Sequence, residues 1–177
     1  MYKRQGKDYT DKELRRIDQF LMEGNKSLVV FASAVNLKAG DGSMKATLST
    51  HGLENLLAGY GVEMKKDAVL EWTRSMRLPV MTATGGAAWI REPAIVQAQH
   101  DARYDDEHQL LDDGFAGFFR ADEISFPFPS TLVPHADKQP EAKLKVVART
   151  TPASWAETGD TVDLKISPSW RPKPPLD

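Results

Sequence analysis

Residues 10–32, TDKELRRIDQFLMEGNKSLVVFA, followed by residues 51–70, HGLENLLAGYGVEMKKDAVL, decide how this chain is read. Thr10 and Glu13 make the T-x-x-E pattern of a capping box, and Asp11 adds negative charge where a helix N-terminus favours it. Leu14, Ile17, Phe20 and Leu21 recur at helical spacing and give one apolar face. Gly24 supplies the left-handed stop. The run Ser27 to Ala32 is continuously apolar, with β-branched and aromatic members. Directly after a helix, such a run predicts a strand buried on both faces of a parallel sheet.

Outward from there, Ser33 to Ser49 reads as a loop with a turn at Gly40-Asp41-Gly42. Thr50 is placed to cap a second helix carrying Leu53, Leu56, Leu57 and Tyr60, which Gly59 and Gly61 end. Val62 to Met64 and Ala68 to Trp72 read as short strands. Leu78 to Thr84 and Ile90 to Val96 read as strands interrupted by Gly85-Gly86 and Pro93. Asp101 to Asp113 is acidic and predicted to be exposed. Ile124 to Pro129 alternates, but its prolines cannot donate to a ladder, so it belongs at an edge or in an extended loop. Lys143 to Thr150 and Thr161 to Ser167 alternate as half-buried late strands, which extend the sheet or form a small β layer. Residues 171–177 are rich in proline and read as a tail or linker.

The 177 residues include 23 Lys or Arg and 25 Asp or Glu, a net charge of -2. With acids and bases interspersed, no basic stripe forms, and nucleic acid is excluded as a partner class. There is no cysteine, hence no thiol nucleophile, cysteine metal site or disulfide. No apolar run approaches the roughly 20 residues that span a bilayer. Any membrane anchor or export signal belongs to segments absent from this chain.

Three stretches carry a resemblance to a known family. They are Asp18-Gln19-Phe20-Leu21-Met22-Glu23-Gly24-Asn25, then Leu53-Glu54-Asn55-Leu56-Leu57-Ala58-Gly59-Tyr60-Gly61-Val62, then Lys66-Asp67-Ala68-Val69-Leu70-Glu71. With Arg149-Thr150-Thr151-Pro152-Ala153-Ser154-Trp155 near the end, the chain resembles the GldG-like auxiliary components of gliding-motility-type ABC transport systems. It departs from their pattern at Asn25, where a second glycine is usual, and at Ala32-Ser33-Ala34, where Asp-Pro is usual. The resemblance implies a three-layer α/β fold, similar to glutamine amidotransferase-like or flavodoxin-like domains. It implies one domain over residues 1–170, cut from a larger protein and lacking the strand that should precede the first helix. It also implies an extracytoplasmic (periplasmic) position, a membrane tether in the parent protein, and the transporter's membrane or partner subunits as partners.

Chemistry is sparse in the sequence. Ser33 follows the apolar run but lacks the flanking glycines of a nucleophile elbow. The four histidines, His51, His100, His108 and His135, show no ligand spacing, and the acidic group around His100 and His108 reads as a solvated surface. Thr84-Gly85-Gly86 lacks the ending of a phosphate loop and reads as a hairpin or bulge. No cofactor motif is present. Trp72, Trp89, Trp155 and Trp170 fall in different elements and read mostly as packing residues. These residues predict a non-enzymatic domain acting by protein or ligand binding. A small ligand would sit in the crevice beyond the carboxyl end of Ser27 to Ala32, lined by Ser33 and Asn36. The alternatives are a serine- or carboxylate-dependent hydrolase or transferase in the same crevice, and a sugar-binding module using a tryptophan.

Overall fold

A computed structural model of the chain describes residues 7–38, 42–82 and 84–166. In chain order the first elements are α1 Asp11–Met22, β1 Val35–Leu37, β2 Lys45–Leu48, α2 Leu53–Gly59, β3 Val62–Met64 and β4 Asp67–Leu70. They are followed by β5 Ser75–Met81, β6 Ala87–Gln99, β7 Glu123–Pro127, β8 Leu132–Pro134, β9 Trp155–Thr158 and β10 Thr161–Asp163. The fold is mixed α/β, with two α-helices among the described residues and several small sheets. The chain divides into two compact units. One holds the residues up to Asp67 with Ser130–Leu144 and Thr158–Asp163; the other holds Ala68–Pro129, Lys145–Glu157 and the residues from Leu164 on.

In the first unit the capping box forms as its residues dictate. The Thr10 N–H donates to Glu13 Oε2 at 2.9 Å, and the Glu13 N–H reaches Thr10 Oγ1 at 3.4 Å. Leu14 is buried with Leu53 and Leu56, and Tyr9, Ile17, Leu57 and Tyr60 pack around them. This joins Leu14 and Ile17 of the predicted α1 face to the face of α2, while Phe20 is left exposed. The entry to α2 differs from the prediction: its N-cap is Gly52 at φ +82, preceded by His51 at φ +53, and Thr50 instead offers its carbonyl to the Leu53 N–H. Two antiparallel sheets complete this unit, β1-β2-β10 and β3-β8. In β2, buried Ala46 and Leu48 alternate with exposed Lys45 and Thr47, the period-2 signature of a half-covered strand.

The second unit is built on β5-β6-β7, antiparallel throughout, beside the pair β4-β9. Gly85, at φ +81, sits in the turn between β5 and β6, so the double glycine serves a hairpin. Register shifts between Ser75, which faces Val96, and Met76, which faces Glu92. The extra β6 residues include Pro93, at a bulge that needs no ladder donor. Ala94, Val96 and Ala98 turn inward, with Leu70, Leu110, Leu111 and Leu164 also buried. β7 is the edge strand that its prolines require.

The structure corrects the central expectation. Ser27 to Ala32 is not a buried parallel strand. It carries no strand pairing and its residues are exposed, Phe31 at 97% and Val29 at 74%. An apolar run specifies a preference for burial, but a strand also needs neighbours on its edges, and none of the described residues supplies one. The pairings whose registers are described are antiparallel. Ser33 to Ser49 holds the β1-β2 hairpin in place of a plain loop; its Gly40-Asp41 lies outside the described residues. Lys143 to Thr150 forms only an isolated bridge, Ala148 to Leu111. Within the acidic segment, Asp101, Gln109, Leu110 and Leu111 are buried. The expected strand over Thr161 to Ser167 ends at Asp163, and the tail over residues 171–177 lies outside the described residues.

Candidate functional site

A group of charged and polar side chains gathers in the second unit, where β5 meets the loop before it. A cleft of about 410 Å³ is lined by Thr73, Arg74, Met76, Arg77, Arg91 and Gln97, among others. Arg77 and Arg91 are direct cross-strand partners. Like charges in that relation are destabilising unless something compensates them. Arg91 is held by backbone: its Nη1 donates to the carbonyls of Thr73 at 3.0 Å and Ser75 at 3.3 Å. Arg74 Nη2 donates to Asp101 Oδ2 at 2.7 Å, and Arg103 grips the same carboxylate through Nε and Nη2. The Arg103 hydrogen bonds, reinforced by Arg74, hold the Asp101 carboxyl well below the usual carboxylate range. Asp101 thus pairs with both Arg74 and Arg103, while Arg77 and Arg91 have no carboxylate partner among the described residues.

Beneath the cleft the loop is pinned by a buried carboxylate. Glu71, fully enclosed, accepts from the Thr73 N–H and hydroxyl, both at 2.7 Å, and from the Thr151 N–H at 3.1 Å and hydroxyl at 2.5 Å. The Thr151-Pro152 element is therefore structural: it closes around Glu71 and fixes the loop that carries Arg74. On the far side of β6, burial pushes the Glu92 carboxyl up, offset in part by the hydrogen bond from the Ala94 N–H.

The residues expected to line a ligand crevice lie in the first unit. Ser33 Oγ accepts from the Val35 N–H at 3.0 Å and lies 3.4 Å from Ser130 Oγ. Asn36, in β1, donates its amide to the carbonyls of Ala34 at 2.8 Å and Ser49 at 3.0 Å. Its own carbonyl meets His51 Nε2 at 2.7 Å, and His51 Nδ1 lies 2.8 Å from Asp8 Oδ1. In a nucleophilic triad the nitrogen opposite the carboxylate faces a hydroxyl; here it faces an amide. The structure brings Asn36 and His51 together, and Ser33 has Ser130 as its neighbour. A second cavity of about 410 Å³ opens beside His51, between Asp8, Ser49, Glu54 and Lys66.

Other candidates disperse. His108 pairs with Asp105 at 2.8 Å and His135 with Glu63 at 2.8 Å. Among the described residues no group of three His, Asp or Glu is placed to hold a metal ion, and no helix is long and apolar enough to cross a membrane. Trp72 and Trp155 are half-buried, Trp89 is 68% exposed, and Trp170 lies outside the described residues. The arginines of the cleft were missed because they were read one at a time. Arg77 and Arg91 stand equally far from Thr84, whereas a hairpin centred on Gly85-Gly86 would set Arg77 against Ala94, so the double glycine alone does not pair them.

No curated protein and no solved structure matches the chain. A family profile does, over residues 4–175, for a family described as an ABC-type uncharacterized transport system. By that match, which spans nearly its whole length, the chain belongs to this family of auxiliary components of ABC transport systems.

Proposed function

We propose that the chain is a non-enzymatic, extracytoplasmic part of its transport system, tethered to the membrane through the parent protein, and that it works by docking onto companion subunits. The GldG-like subtype belongs to this proposal. The observation that carries it is the state of Ser27–Ala32. Leu28, Val29, Val30 and Phe31 are all exposed, and from Lys26 to Ala32 no backbone group hydrogen-bonds to another described residue. A chain apolar on both sides with both edges open is matched to an interior strand of a sheet. Burying those four side chains is worth about 1.5–3 kcal/mol each before the cost of association. The occupant that satisfies edges and faces together is a strand of a companion polypeptide, added by main-chain pairing. In the assembled state this segment becomes the central strand of the amidotransferase-like or flavodoxin-like sheet. A small ligand at Ser33 and Asn36 would have to displace the hydrogen bonds they already make, so we assign these residues to anchoring the base of the segment.

The test is co-purification of the parent protein with its transport subunits. Val29→Lys with Phe31→Asp is expected to abolish co-purification while leaving the thermal midpoint of the isolated chain unchanged. Undiminished co-purification refutes the docking. This chain has no cysteine, so Ser43→Cys in a parent whose other cysteines, where present, are replaced by serine, labelled in intact cells by a membrane-impermeant maleimide, reports its side of the membrane. Labelling only after permeabilisation refutes the extracytoplasmic position.

A further inference from the structure

The cleft in the second unit shares no residue with Ser27–Ala32 and supports a conclusion of its own. The geometry points to a binding site for a small anion, one presenting a carboxylate or phosphate, held between Arg77 and Arg91 with Arg74 at its flank. Two cations directly opposed across a ladder without a carboxylate between them are a local conflict in the fold. Such conflicts concentrate where function demands them. The fold spends other groups on keeping the arrangement in place. The carbonyls of Thr73 and Ser75 orient Arg91, and Asp101 holds Arg74.

Asp101 cannot also serve Arg77 and Arg91, since Arg103 and Arg74 occupy its oxygens and the Arg103 N–H takes Oδ1 at 3.1 Å. Glu123, on neighbouring strand β7, accepts from the Gln97 amide. An anion entering the cleft therefore meets an exposed Arg77 and a half-buried Arg91, neither paired with a carboxylate among the described residues. Planar guanidinium forks bind carboxylate and phosphate oxygens in pairs. Trp89 stands two residues before Arg91 on the same face of β6 and is exposed. It lies across from Pro79, an apolar shelf next to the charged pair. The site thus favours an organic anion with an apolar or ring portion over a bare ion, and it takes phosphate or carboxylate as the charged end.

The experiment is a titration of the full chain with inorganic phosphate, succinate and benzoate, each against sodium chloride at matched ionic strength. Arg side-chain Nε–H resonances and calorimetry follow the binding. Saturable shifts at Arg77 and Arg91 are expected, with benzoate tighter than succinate. Arg77→Gln should weaken binding about tenfold, the loss of one charge-assisted hydrogen bond. Lys45→Gln, which removes the same charge from an exposed strand of the other unit, should leave affinity unchanged. Arg77→Gln should also raise the thermal midpoint at low salt without anion, a readout that shows the variant folded. Responses equal to those of chloride, or equal weakening by Lys45→Gln, would overturn the assignment. Saturation by phosphate alone or by carboxylates alone identifies which charged end the site takes.

Discussion

Replacing Glu71 probes the second unit at its most constrained point. Its carboxylate is fully buried, with two Thr73 donors on Oε1 and two Thr151 donors on Oε2. Glu71→Ala leaves three backbone N–H groups, those of Thr73, Arg74 and Thr151, and two hydroxyls without this acceptor and opens a void. A buried donor left without its acceptor costs about 1–3 kcal/mol, and with several such donors partly relieved by relaxation we expect about 4 kcal/mol in all. Glu71→Gln keeps the volume but turns an amide N–H₂ toward one threonine or the other, so it should cost about half as much, near 2 kcal/mol. Thr151→Val should be costly in the wild type and nearly silent in Glu71→Ala, a coupling of about 1–2 kcal/mol. Urea unfolding followed by tryptophan fluorescence reads this directly, because Trp72, Trp89 and Trp155 all belong to the second unit. At about 2–4 °C per kcal/mol for a chain of this size, Glu71→Ala should lower the thermal midpoint by roughly 8–16 °C. If Glu71→Ala stays within about 1 kcal/mol of wild type, or the two substitutions simply add, the carboxylate does not organise this loop.

Phe31→Ser should leave the stability of the isolated chain within about 0.5 kcal/mol, as for any exposed position, whereas a buried phenylalanine would cost several times more; equilibrium unfolding distinguishes the two. Gly61 has φ +77, and a Cβ there would lie 2.9 Å from the His135 carbonyl. Gly61→Ala should therefore destabilise by at least about 1–2 kcal/mol from the left-handed backbone alone, and an unchanged urea midpoint would contradict the turn geometry. The hydrogen bond from Lys65, then that from His135, lowers the Glu63 carboxyl from 4.5 to about 2. A depressed carboxylate stabilises above its ordinary value and gives that up as pH falls toward 2. The midpoint should decline between pH 5 and pH 2, and Glu63→Gln should flatten part of that decline; parallel curves would argue against the pairing.

The helices were legible because their signals are local. Thr10 and Glu13 cap each other three residues apart, and Leu14 and Leu53 mark the faces that meet. Hairpin β5–β6 and edge strand β7 could be read for the same reason, from glycine at the turn and proline at the rim. Ser27–Ala32 could not, since composition states what a segment prefers to touch and not whether a partner strand is there. Lys143 to Thr150 alternates correctly yet finds only one bridge partner, at Leu111. Asp101 looked like part of a solvated acidic stretch because the arginine that draws it inward, Arg74, is 27 residues away. The cleft is invisible for that reason too: it exists only once register places Arg77 against Arg91.

Both units are assembled from pieces far apart in the chain, and this bears on how the protein is made. Strand β2 waits for β10, and Glu71 waits for Thr151, 80 residues later. While the chain emerges from a ribosome at about 5–20 residues per second, that carboxylate spends seconds without its second pair of donors. Neither unit can close before the late segments arrive, so folding is postponed to near the end of synthesis of this region. Closure must then overcome long loops, which slows it. In that interval Leu28 to Phe31 is open to any passing strand. The vulnerable period is set by the order in which residues are translated, and a circular permutant joining the late strands to the front would be expected to shorten it.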